Sequence, residues 1–101
     1  MDTFTKNLIT TAIEQKRILQ FNNQGHIRIG EPHVLGFHNQ EAQLLLYQIE
    51  GSSSSGRLPE WRRFKVDLVE DISMINRTFS GQRPTKSGYH TNWKTIIAIV
   101  K

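Results

Sequence analysis

The chain has 101 residues, a net charge of +4, 37% hydrophobic residues and no cysteine. That length suits one domain, 1–101, with a single compact core. The absence of cysteine excludes disulfides and thiolate metal sites, and no run approaches the ~18 apolar residues of a membrane-spanning helix.

Residues 3–16 predict the only helix. Phe4, Leu8, Ile9, Ala12 and Ile13 recur on one face at three-to-four spacing, and Asp2 or Thr3 can cap the first turn. Lys16 and Arg17 sit where cations suit the helix C-terminus. The period then changes to two. Residues 18–22 predict a strand, Asn22-Asn23-Gln24-Gly25 a hairpin turn, and 26–37 the return. The alternation turns Ile27 and Ile29 inward and Arg28 outward, with a break or bulge at Gly30-Glu31-Pro32. After a turn at His38-Asn39-Gln40, residues 43–50 predict a central strand with apolar side chains on both faces, one of them covered by the helix.

A Gly-Ser loop, Gly51 to Gly56, leads to a strand at 61–67 with Arg62, Phe64 and Val66 on one face and Trp61, Arg63, Lys65 and Asp67 on the other. A strand at 71–76, a turn at 76–79, a loop at 80–92 and a closing strand at 94–100 complete the chain. One helix followed by six short strands predicts a mainly β (α+β) fold, a bent antiparallel sheet closing into a small barrel.

Charge is distributed unevenly. Residues 77–101 carry Arg77, Arg83, Lys86, Lys94 and Lys101 and no acid, while the other residues carry eight basic and nine acidic side chains. An acid-free segment suits an anionic partner, or pairing with acids elsewhere in the fold. Trp61 beside Arg62 and Arg63 combines a flat apolar ring with planar donors, the chemistry of base and phosphate recognition. Tyr89, Trp93 and Lys94 form a second aromatic-basic group.

Other chemistries find weaker support. Glu31, His33 and His38 lie at irregular spacing across a proline, with His26 and His90 placed elsewhere, so no metal site is expected. A hydrogen bond between Glu31 and His33 at a barrel rim is. The only candidate nucleophiles, Ser52–Ser55, sit on a loop without a base, and no carboxylate pair converges, so no enzyme activity and no cofactor are expected. The loop lacks the lysine and following helix of a nucleotide-binding P-loop.

The ordered set Ala12-Ile13, Ile18-Leu19-Gln20-Phe21, Arg28-x-x-Glu31-Pro32-His33-x-x-Gly36, Leu44-Leu45-Leu46-Tyr47 and Arg62-Arg63-Phe64-Lys65-Val66-Asp67 resembles the WYL-domain family over roughly residues 8–80. The naming Trp-Tyr-Leu triplet falls on Ala42-Gln43-Leu44, and the Asp-Arg-Ile that follows the Arg-x-Phe-Arg strand falls on Asp67-Leu68-Val69. The resemblance implies an SH3- or Sm-like barrel preceded by a helix, serving as a ligand-sensing module of bacterial regulators or phage-defence systems. The family's arginine before Glu/Asp-Pro falls on Arg28, and its Arg-x-Phe-Arg on Arg62, Phe64 and Lys65.

Taken together, the expected ligand site comprises Arg28, His33, Gln48, Ser53, Ser54, Trp61, Arg62 and Arg63. The expected ligand is anionic, single-stranded nucleic acid or a nucleotide; the alternative is a barrel that docks a protein partner. A cytoplasmic protein is the default, because MDTFTKN lacks the basic and apolar regions of a signal peptide.

Overall fold

The computed structural model describes residues 1–52, 56–85 and 90–101. It is mainly β: one N-terminal helix, α1 (Thr3–Gln15), followed by a six-stranded antiparallel sheet of β1 (Arg17–Asn23), β2 (His26–His38), β3 (Glu41–Gly51), β4 (Glu60–Lys65), β5 (Val69–Thr78) and β6 (Thr95–Ile99). No described helix is long and apolar enough to cross a membrane.

Asp2 caps α1, its Oδ1 accepting from the Thr5 N–H at 2.7 Å. Lys16 ends the helix in the left-handed region, φ 55°, and its N–H bonds the carbonyls of Ala12 and Ile13. Ile9, Ala12 and Ile13 pack on Leu19, Phe21, Leu35, Leu44, Leu46 and Phe64, with the Phe21 and Phe64 rings edge to face at 5.2 Å. The apolar stripe meets the sheet only from Leu8 onward. Phe4, expected in the core, is 68% exposed. Arg17 does not serve the helix end, since its guanidinium donates to the Ile75 carbonyl on β5.

The strand order is β4-β3-β2-β1-β5. β2 is the spine: β3 runs along one edge, and the other edge takes β1 at residues 26–30 and β6 at residues 34–37. β4 and β5 end the path without pairing to each other, so the sheet is not closed. The expected bulge at 30–32 is present, but the strand does not break there. β2 runs through it with two register shifts that bend the strand and leave Ile49 and His33 as extra residues. Gly30 is required there, because a Cβ would lie 2.5 Å from the Tyr47 carbonyl oxygen. The β1–β2 register is set by a two-residue turn, Gln24 and Gly25, both with positive φ.

That register inverts the expected facing of β2's first residues. Arg28 is 4% exposed and Ile27 is 47% exposed. Two isoleucines did not decide the matter, because Arg28 finds oxygen acceptors inside: the Ser52 carbonyl at 2.6 Å, Asn23 Oδ1 at 3.4 Å and Gln48 Oε1 at 3.5 Å. Two further boundaries differ from expectation. Val66–Leu68 is a 3-10 turn rather than strand, its Val66 carbonyl bonded by the Val69 N–H. β5 continues through the expected turn at 76–79, with Thr78 paired to Arg17 and the Phe79 N–H bonded to the Lys16 carbonyl.

Candidate functional site

Alternation along β3 and β4 distributes the expected site residues over two faces. Opposed pairs share a face: Leu46 with Arg62 and Gln48 with Glu60 on the helix side, Leu45 with Arg63 and Tyr47 with Trp61 on the outer side. Arg28, Gln48 and Arg62 therefore belong with the core, and His33, Trp61 and Arg63 with the outer face. Ser53 and Ser54, with Ser55, Lys86 and Tyr89, lie outside the described residues.

On the helix side the arginines are absorbed locally. Gln48 Nε2 donates to the carbonyls of Glu50 and Ser52 at 3.1 and 2.9 Å, and the Arg28 guanidinium shares the Ser52 carbonyl. These bonds tie the start of the Gly-Ser loop to the sheet, with Ser52 N–H also bonded to the Ile27 carbonyl. Arg28 Nε is buried with no hydrogen-bond partner among the described residues. Arg28 and Arg62 each lie over Phe64, at 5.4 and 5.7 Å. Burial, and then the neighbouring Arg62 charge, push the Arg28 guanidinium below its ordinary value. Arg62 is ion-paired to Glu60 at 2.9 Å.

The outer face is built differently. Glu31, Tyr47 and Trp61 form one row across β2, β3 and β4. Trp61 lies 4.9 Å from Tyr47, 4.7 Å from His33 and 5.4 Å from His90, centroid to centroid. The Arg83 guanidinium stacks on Tyr47 at 4.4 Å, and the Arg63 guanidinium on Trp93 at 3.9 Å while donating to the Asn92 carbonyl at 3.1 Å. Trp93 itself rests over Gly36, where a Cβ would approach its Cε3 to 2.9 Å. A cavity of about 170 Å³ is lined by Leu45, Trp61, Arg62 and Arg63. A groove of about 470 Å³ is lined by Asn92, Trp93 and Lys94 together with residues 38–40.

Behind the aromatics runs a chain of hydrogen bonds. Arg83 grips Glu31 with two N–H groups at 2.7 and 2.8 Å. Glu31 Oε1 meets His33 Nε2 at 3.3 Å, His33 Nδ1 meets His90 Nε2 at 2.9 Å, and His90 Nδ1 meets Thr85 Oγ1 at 3.1 Å. Burial opposes the Glu31 charge, but the hydrogen bonds from Arg83 and His33 outweigh it and hold the carboxyl below the usual range. The same bond raises Arg83. Burial pushes His33 down to about 4, and lowers His90 as well.

The Glu31–His33 bond expected from sequence is present, inside the protein rather than at a rim. His90, assigned elsewhere, is its next partner, and His38 is not part of the chain: it stands opposite Glu41 at the β2–β3 turn. Among the described residues no group of three or more His, Asp or Glu is placed to hold a metal ion. Two of the tail's cations pair with acids elsewhere, Arg77 with Glu50 and Arg83 with Glu31. The roles of Tyr47, Arg83 and His90 were not legible in advance, because an aromatic strand and an acid-free tail do not show which partners these side chains meet. Comparison with protein-family models, curated proteins and solved structures finds no match to this chain.

Proposed function

We propose that the chain is a ligand-binding module whose outer sheet face takes an anionic ligand carrying a flat ring, single-stranded nucleic acid or a nucleotide. The observation that carries this reading is the joining of two aromatic-basic groups distant in sequence, with Arg63 stacked on Trp93 beside Trp61. Aromatic faces accept any base by stacking, and guanidinium groups bond phosphate oxygens, so sequence-tolerant single-strand binding suits this chemistry. Lys94, beside Trp93 in the adjoining groove, adds positive charge to the same face.

Titration of labelled oligonucleotides at several salt concentrations tests the reading. With ~3–5 phosphate contacts, log affinity falls with log salt at a slope of about −2 to −3.5. Trp61→Ala removes one stacking ring and is expected to weaken binding by ~1–3 kcal/mol. No binding at low salt, or a flat salt dependence, refutes it.

The order of elements supports a further reading on the WYL resemblance, an SH3- or Sm-like unit of a bacterial regulatory or defence system. In its favour are the helix packed on the sheet and the short 3-10 turn between β4 and β5. A protein partner is the second functional reading, because β4 ends the sheet path at the position where a partner strand would add. Capture of a specific protein that survives nuclease and an Arg63→Ala change favours this alternative.

A further inference from the structure

The Glu31–His33–His90–Thr85 chain has only one donor pattern in which both rings are neutral. The Glu31 carboxylate can only accept, so His33 carries its proton on Nε2 and leaves Nδ1 as an acceptor. His90 must then donate from Nε2, and its own Nδ1 accepts from the Thr85 hydroxyl. One added proton is tolerated by this geometry. It goes to His90 Nδ1, the Thr85 hydroxyl turns from donor to acceptor, and every contact survives. Of the ring nitrogens, only His33 Nδ1 is then left to take a second proton. That would set two N–H groups and two cations head-on across a 2.9 Å contact.

His33 cannot retreat. It is fully buried, and its carbonyl accepts from the Val100 N–H at 2.8 Å. His90 lies in a segment without regular structure, which also carries the Asn92 carbonyl and the Trp93 ring against Arg63. We propose that the His33–His90 pair is a proton-operated clasp, in which the second proton expels His90 and lifts residues 90–93, with the Trp93–Arg63 stack, off the sheet.

Among the described residues, the charged and titratable groups facing His33 are Glu31 from its own strand and Arg83 and His90 from the segments after β5, with Tyr47 of β3 beneath Arg83; Trp61 and Phe79 also pack on the ring. Glu31 favours its protonation, whereas Arg83, His90 and burial oppose it. Because the folded-state values of both rings are depressed, the closed clasp is fully favoured above the free-histidine value near 6.5. It weakens as pH falls towards about 4.

Nitrogen-15 imidazole spectra and amide exchange of the full chain between pH 7 and 4 test this without any ligand, so the outcome is independent of the nucleic-acid reading. Both rings are expected as the Nε2–H form at pH 7. Titration of His90 should leave the Trp93 and Lys94 amides unchanged, and titration of His33 should coincide with a loss of about tenfold or more in their protection while core amides of β1 and β3 keep theirs. An Nδ1–H form of either ring at pH 7 overturns the clasp. So does His33 titration without loss at Trp93 and Lys94, or loss of core protection at the same pH. In His90→Phe the two amides should already be weakly protected at pH 7 and no longer respond to pH; a retained pH step in that variant overturns the proposal too.

Discussion

Arg83→Ala tests the outer-face ion pair most directly. Glu31 has 5% of its side chain exposed and receives both of its short bonds from Arg83, whereas Arg83 is 44% exposed. Removing one partner of a buried pair costs ~3–5 kcal/mol because a charge is left behind. Water reaching the vacated position lowers this, as screening does for any half-exposed pair, to about 2–3 kcal/mol. Protonation sets an independent ceiling. A carboxyl with an unfolded-state value near ~4.3 can become neutral at pH 7 for about 3.7 kcal/mol, and for about 1.4 kcal/mol less per pH unit below that.

The sign of the pH dependence follows. In the wild type the Glu31 value is held low, so its contribution is present above the unfolded value and lost as pH falls through the folded one. In the variant the value is raised, so stability relative to wild type recovers as pH falls from 7 towards ~4.5. Urea unfolding at pH 7 and pH 5 reads both quantities, and a loss of 2–3 kcal/mol corresponds to a Tm drop of roughly 10–20 °C for a domain this size. Glu31→Gln in the Arg83→Ala background should regain part of the loss, since a neutral amide is less costly to bury. A variant within ~0.5 kcal/mol of wild type at pH 7, or a deficit that grows as pH falls, refutes the reasoning.

Gly36→Ala places a methyl group against the Thr95 carbonyl and the Trp93 ring. It should cost ~1–3 kcal/mol and alter tryptophan near-UV dichroism; an unchanged spectrum means Trp93 does not rest there. Arg28→Met leaves the Ser52 carbonyl and the side chains of Asn23 and Gln48 short of a donor. A loss of ~1–3 kcal/mol is expected, with faster proteolysis near residue 52; unchanged cleavage there argues against Arg28 as the anchor. Phe4→Ser, at a position outside the core, should shift urea stability by no more than ~0.5 kcal/mol. A loss of 2 kcal/mol or more would mean that Phe4 is covered.

The division between what was legible in the chain and what was not has a physical basis. Local periodicity and capping chemistry set α1, because Ile9, Ala12 and Ile13 recur on one helix face and Asp2 supplies the acceptor beside it. The six strands, the turns at Gln24-Gly25 and Asn39-Gln40, and the two-sided burial of β3 were likewise written in alternation and turn residues. Alternation on β4 correctly separated Arg62 and Phe64 from Trp61 and Arg63.

The facing of Arg28, the extra residue at His33 and the meeting of His33 with His90 were decided by tertiary structure alone. A bulge shifts which residues share a face, and hydrophobic alternation carries no information about a buried cation satisfied by oxygens from Asn23, Gln48 and Ser52. Arg63 and Trp93 stand thirty residues apart in sequence and stack only because β6 pairs with β2, on the edge away from β3, and so brings the segment before it back to the sheet that holds β4. Residue types and local strands come from short-range physics that a sequence displays. The site is made by strand order, and strand order is a property of the whole sheet.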